Sequence, residues 1–185
     1  MRLFVAVNFD ERVKDTLCDT IRGFKEQTKS GVFTRRENLH LTLVFIGETQ
    51  NIKSAVSAMD KISHEPFEIC LSGIGRFRRS GGDIYWAGIR ESPMLFALQK
   101  SLHDNLAKNG FRLEDRKFSP HITLGRQVTP ADIPPALDDF NEVLSHVRIP
   151  VGEIHLMKSE RINGILTYSS IYTRRLGITG FQKPD

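Results

Sequence analysis

The sequence predicts an α+β protein of two pseudo-symmetric halves, each an antiparallel sheet with flanking helices, with a groove between them. Three observations lead there. Of 185 residues 39% are apolar, enough to bury a core within a single domain, 1–185. His40-Leu41-Thr42-Leu43 recurs as His121-Ile122-Thr123-Leu124, an offset of 81 residues that extends well beyond the tetrapeptide and marks two duplicated lobes related by a pseudo-two-fold. Apolar residues alternate late in each half around turn-forming segments, as antiparallel hairpins do.

The elements follow in order. Phe4-Val5-Ala6-Val7 overlays Tyr85-Trp86-Ala87-Gly88, and both read as buried strands. Each run precedes a helix: Val13, Leu17, Ile21 and Phe24 recur at helical spacing after the candidate caps Asn8 and Asp10, and Leu95, Leu98, Leu102 and Leu106 do so after Ser92-Pro93, with Gly110 as the stop. The two His-containing strands come next. Helices are expected after each, over 51–63 with Ile52, Val56 and Met59 on one face, and over 130–146 with Ile133, Leu137, Phe140 and Leu144. Phe67, Ile69 and Leu71 alternate, as do Ile149 and Val151, then Ile154 and Leu156, with turns at 79–83 and at Ile162-Asn163-Gly164. The run from Ile165 to Tyr172 closes the sheet. Two halves of this kind are expected to oppose their open sheet faces, with separate cores behind them and a groove between.

Composition excludes several classes. The formal charge is +4 and the pI near 9.2, a mild bias toward an anionic partner, carried in short groups such as Arg35-Arg36, Arg76/Arg78/Arg79, Arg112/Arg116/Lys117/Arg126 and Arg174-Arg175. No stretch approaches the roughly 18 apolar residues of a membrane span, and Asp10-Glu11 follow the first apolar run too soon for a signal peptide. A soluble cytoplasmic monomer is expected. Cys18 and Cys70 form no CxxC and no disulfide framework, and read as small core residues.

In a strand, residues i and i+2 share a face, so His40 and Thr42 point one way with Leu41 and Leu43 behind them, and His121 and Thr123 repeat the arrangement. A single histidine in an apolar strand is usually structural. Two at the same phase of matching strands, each with Thr at i+2, in a chain with six histidines, point to a shared site. His64, His103, His146 and His155 lack such partners and read as surface or helix-end residues. Facing imidazoles carry out concerted base and acid steps near neutral pH, and threonine hydroxyls donate to phosphate oxygens, which suits displacement at a phosphodiester. No HxH, HExxH, GxSxG, Walker or dinucleotide motif occurs, so metal-dependent hydrolysis, a serine nucleophile and a nucleotide cofactor are not expected.

Asn38-Leu39-His40-Leu41-Thr42-Leu43 with Phe45-Ile46-Gly47, and Phe118-Ser119-Pro120-His121-Ile122-Thr123-Leu124-Gly125-Arg126, resemble the two signature motifs of the two-histidine (2H) phosphoesterases. The opening Arg2-Leu3-Phe4-Val5-Ala6-Val7, the segment Trp86-Ala87-Gly88-Ile89 and the total length are similar to the RNA 2′,3′-cyclic phosphodiesterases, also called the bacterial and archaeal 2′-5′ RNA ligase family. The resemblance implies hydrolysis of an RNA or nucleotide 2′,3′-cyclic phosphate to a 2′-phosphomonoester without metal or cofactor, and in some members 2′-5′ joining of RNA ends. It implies His40 and His121 as the proton-transfer pair, with Thr42, Thr123 and Arg126 on the phosphate. His121 is taken as the base and His40 as the acid, a choice the symmetry of the motifs does not itself decide. Arg76-Phe77-Arg78-Arg79 and Arg116-Lys117-Phe118 are candidate RNA contacts, with Phe77 or Phe118 placed to stack on a base. The competing readings are another 2H phosphodiesterase, acting on 2′-5′ oligonucleotides or small cyclic phosphates, and a non-catalytic RNA- or nucleotide-binding module.

Overall fold

The computed structural model describes residues 1–130 and 137–177. Fourteen elements follow one another as β1 (Arg2–Asn8), α1 (Glu11–Glu26), β2 (Thr28–Phe33), a 3₁₀ turn (Arg36–Asn38), β3 (His40–Glu48), α2 (Ile52–Asp60), β4 (Phe67–Phe77), β5 (Asp83–Ile89), α3 (Pro93–Lys108), β6 (His121–Pro130), α4 (Asp138–Ser145), β7 (Arg148–Val151), β8 (Glu153–Ile162) and β9 (Ile165–Arg175). They build two sheets, ordered β3-β1-β8-β9 and β2-β6-β5-β4-β7, antiparallel at every pairing. The expected α+β class with two antiparallel sheets holds.

Local signals placed most elements well. The Asp10 side chain accepts from Val13 N–H at 2.8 Å to start α1, Ser92 accepts from Leu95 N–H ahead of Pro93 in α3, and Gly110, at φ +91°, follows the end of α3. Asn163 and Gly164 both have positive φ, the backbone a two-residue hairpin turn requires, and join β8 to β9. Two expectations changed. The helix proposed for 130–146 is described only over Asp138–Ser145; Pro130 ends β6, and Ile133 lies outside the described residues. β2 was not anticipated, because it is an edge strand with mostly half-exposed side chains and no apolar alternation.

The two sheets are not the two halves of the chain. β4, from the first half, pairs with β5 and β7, whereas β8, from the second, pairs with β1 and carries β9 on its other edge. Helices cross over too. α1 packs against β2 and β6, and α3 against β3 and α2. As a result Leu41, Leu43, Ile122 and Leu124 share one continuous core with Leu17, Leu98 and Leu102 rather than lying in two separate ones.

The overlay of the first strands also slips by one. Asn8 pairs with His40 and Gly88 with His121, so β1 and β5 correspond at an offset of 80, not 81. In β1, Phe4 and Ala6 face the groove beside Met157 and Tyr168 while Leu3, Val5 and Val7 enter the core. Tyr85, which the sequence overlay matches to Phe4, is buried against Phe24 instead, and Trp86 takes the groove side beside His121. Gly75 makes this possible, since a Cβ there would stand 2.2 Å from the Trp86 ring.

Strand exchange makes each half dependent on the other. Fragments 1–81 and 82–185 are expected to give disordered circular dichroism spectra alone and to regain β signal on mixing; independent folding of either would contradict the interleaved core.

Candidate active site

His40 opens β3 and His121 opens β6, and these two strands, one from each sheet, lie side by side. Alternation then does what the sequence reading expected. His40, Thr42, His121, Thr123 and Arg126 all line one cavity of about 700 Å³, with Leu41, Leu43, Ile122 and Leu124 buried behind them.

Each imidazole is held the same way. His40 Nδ1 lies 2.7 Å from the Asn38 carbonyl and His121 Nδ1 lies 2.7 Å from the Ser119 carbonyl, in both cases two residues upstream. A carbonyl only accepts, so both rings carry their proton on Nδ1 and keep Nε2 as the basic nitrogen on the far side of the ring. His40 Nε2 is 2.9 Å from Thr42 Oγ1, whose hydroxyl donates to it. Aromatic rings wall both histidines: Phe4 at 4.9 Å and Tyr168, edge-on at 5.2 Å, for His40; Phe77, edge-on at 5.3 Å, and Trp86 at 6.2 Å for His121.

These surroundings disfavour charge. Desolvation pushes both imidazoles below their ordinary value, partly countered by the carbonyl acceptors, and the Arg126 guanidinium pushes both further down. His121 also lowers His40, and Arg116 also lowers His121. The site is therefore two neutral imidazoles in a cationic field, poised for an anion.

The remaining predicted residues separate. Arg126 is exposed and reaches to 3.5 Å from Thr123 Oγ1. Arg116 pairs with Glu114 at 2.9 Å and lines both this cavity and a smaller one of about 290 Å³ beside His121, where Phe77, Arg79, Lys117 and Phe118 also lie. Arg76 instead pairs with Asp83 on the neighbouring strand, and Phe118 packs against Phe96. His146 follows α4 as expected, and His64 meets Ser101 at 3.2 Å. His155 is a correction. It is 9% exposed, with Nδ1 at 3.2 Å from Ser170 Oγ and 3.1 Å from Thr173 Oγ1, and Nε2 at 3.3 Å from Glu153. The β1–β8 ladder pairs it with Ala6, so the two side chains share a sheet face.

Sequence reasoning missed the residues that hold the site. Asn38 is buried: its amide donates to Leu166 O at 2.9 Å and accepts from Tyr168 N–H at 3.2 Å, fixing the carbonyl that positions His40 to strand β9. Thr34 donates to Thr123 O at 2.8 Å and steadies the other motif. Asn38 had a visible signal, its place two residues before His40. Thr34 and Tyr168 had none, being brought in by pairing of distant strands.

Residues 13–163 match the model of the 2′-5′ RNA ligase superfamily. The chain belongs to the 2′-5′ RNA ligase superfamily. Within this superfamily it is 35% identical over 130 residues to the RNA 2′,3′-cyclic phosphodiesterase of Archaeoglobus fulgidus, covering 68% of this chain and 72% of that protein. It is 29% identical over 189 residues to the enzyme of the same name from Thermotoga maritima, covering 91% and 100%. Among solved structures, apo Escherichia coli LigT superposes with a TM-score of 0.78 at 27% identity, over 95% of this chain and 96% of that one, and LigT has also been crystallised with 3′-AMP. No helix among the described residues is long and apolar enough to cross a membrane.

Burial links these histidines to stability. Because His40, His121 and His155 are lowered in the folded state, the unfolded chain binds more protons between that range and about pH 6.5. Their contribution is full above about 6.5 and is lost as pH falls through the window. Urea midpoints are expected to drop on acidification, and His40→Gln to shrink the drop; an unchanged drop would exclude a contribution from His40.

Proposed function

We propose that this protein hydrolyses RNA 2′,3′-cyclic phosphates to 2′-phosphomonoesters, with His121 as base and His40 as acid. The observation that carries the reading is the matched pair of Nδ1-anchored imidazoles lining one cationic cavity. Relatives bearing the name RNA 2′,3′-cyclic phosphodiesterase across most of the chain support the same substrate class.

In this reading the cyclic phosphate sits between the rings, its non-bridging oxygens taking hydrogen bonds from Thr42, Thr123 and Arg126. His121 Nε2 removes a proton from water as the water oxygen bonds to phosphorus. The bond from phosphorus to O3′ breaks, its electron pair leaving on O3′, which takes the proton from His40 Nε2–H. The product has a 2′-phosphate and a free 3′-hydroxyl, and exchange with solvent resets both rings. No metal enters these steps. The anionic phosphate also explains how an imidazole lowered in the free protein becomes an acid on binding, because the negative charge restores its proton. The same reading treats the chain as one domain of two duplicated lobes, supported by the parallel order β1-α1-β3-α2 and β5-α3-β6-α4.

His40→Ala and His121→Ala are each expected to lower kcat on a 2′,3′-cyclic mononucleotide by more than about 10² with the fold intact, and Thr42→Ala or Thr123→Ala by less. Hydrolysis should persist in EDTA. Both free-protein imidazoles lie below about 6.5, so the bell of kcat/KM against pH should centre below that value. Binding without turnover would instead identify a non-catalytic module.

A further inference from the structure

A regular strand turns alternate side chains to opposite faces, so residues four apart share one. Tyr168 and Tyr172 on β9 break that rule. Tyr168 packs with Phe4, Ala6 and Met157 on the groove side, whereas Tyr172 packs on the main core and donates from its hydroxyl to the Asp60 carboxylate of α2. A β-bulge is the cause. Leu156 pairs with Tyr172 and Met157 with Ser170, which leaves Ile171 without a partner on β8.

Both ends of β9 are anchored. At one end the Asn163-Gly164 turn sets Ile162 against Ile165. At the other, Leu176 N–H donates to Gly152 O at 2.8 Å, and Arg174 Nη2 donates to Ile62 O at 3.2 Å. Neither anchor decides where between them the extra residue sits, and its place decides what the groove receives. Leu166 O and Tyr168 N–H point away from β8 to the Asn38 side chain, at 2.9 and 3.2 Å, and the Tyr168 ring stands edge-on to His40. A bulge placed before Tyr168 would turn its amide inward to β8 and its ring off the groove.

His155 marks the place. It stands on β8 opposite Thr173, next to the bulge. Its Nε2 lies 3.3 Å from Glu153, whose carboxylate only accepts, so the ring proton is on Nε2 and Nδ1 is an acceptor. Nδ1 lies 3.2 Å from Ser170 Oγ and 3.1 Å from Thr173 Oγ1, hydroxyls on either side of Ile171 and Tyr172. This tautomer is the opposite of the one held at His40 and His121.

We propose that His155 is a positioning residue for His40: by gripping both sides of the bulge it fixes where β9 turns over, and so holds Tyr168 and the Asn38 contacts against the histidine. Its effect on turnover rests on the phosphodiesterase reading above, while its effect on the geometry of β9 does not.

His155→Val keeps a strand-favouring side chain and removes the grip. On a 2′,3′-cyclic mononucleotide it should lower kcat about tenfold with KM held within about twofold, since a misplacement of about 1 Å at a reacting group costs up to about 10² in rate. Hydrogen exchange at the Tyr168 amide should quicken by about tenfold or more, and the ¹⁵N spectrum of His40 should lose its single Nδ1–H form. His155→Asn, whose side-chain oxygen stands near the place of Nδ1, should restore all three. Circular dichroism checks the fold. Ser170→Ala/Thr173→Val removes both hydroxyls from exposed positions and should reproduce the loss, and it decides the question if His155→Val does not fold. Unchanged Tyr168 exchange and His40 tautomer in a folded variant overturn the proposal, as does full kcat beside quickened exchange. An Nδ1–H tautomer at His155 in the wild type overturns it as well. If the wild type does not turn over the cyclic nucleotide, the phosphodiesterase reading fails, and Tyr168 exchange with the His40 tautomer still decides the grip.

Discussion

Everything at this site depends on one hydrogen bond made twice, from an imidazole Nδ1–H to the backbone carbonyl two residues upstream. It fixes the tautomer, orients the ring, and leaves Nε2 as the basic nitrogen. Because a buried N–H without an acceptor costs about 1–3 kcal/mol, the bond also makes it tolerable to place histidines among aromatic rings. Desolvation then disfavours the charged form of both rings, and the Arg126 guanidinium deepens that preference.

The rest of the fold serves this geometry unequally. On the His40 side the accepting carbonyl belongs to a buried asparagine whose side chain grips β9, and Thr42 already engages Nε2. On the His121 side the acceptor is exposed Ser119, and Thr123 is steadied from behind by Thr34 and approached by Arg126. The two His-x-Thr segments are thus held by different partners on different strands. Exchange of β4 and β8 between the sheets locks the two motifs together, since neither His strand belongs to a sheet that its own half completes.

The shared placement of His40, Thr42, His121 and Thr123 was legible in the sequence because it uses strand alternation, the simplest of periodicities: i and i+2 must share a face wherever the strand goes. Helix starts at Asp10 and Ser92 and the Asn163-Gly164 turn were legible for the same reason, each being decided within a few residues. Partner choice between strands is decided elsewhere. Nothing local in Phe67–Phe77 or Glu153–Ile162 says which first strand each will join, so the exchanged sheets and single core were out of reach. The one-residue slip that puts Trp86 rather than Tyr85 beside His121 arose from loop lengths that differ between the halves, invisible to a constant offset. His155 and Asn38 are polar residues buried with their partners on other strands, and only the assembled ladder reveals those partners.

The most direct test is a ¹⁵N NMR titration of the histidine side chains, with and without a nucleoside 2′-monophosphate. In the free protein the account predicts Nδ1–H tautomers for His40 and His121, both titrating below the ordinary imidazole range, and a coupled upward move of both when the phosphate binds. An Nε2–H tautomer at either ring, or a phosphate-bound state in which only one of them responds, would contradict it.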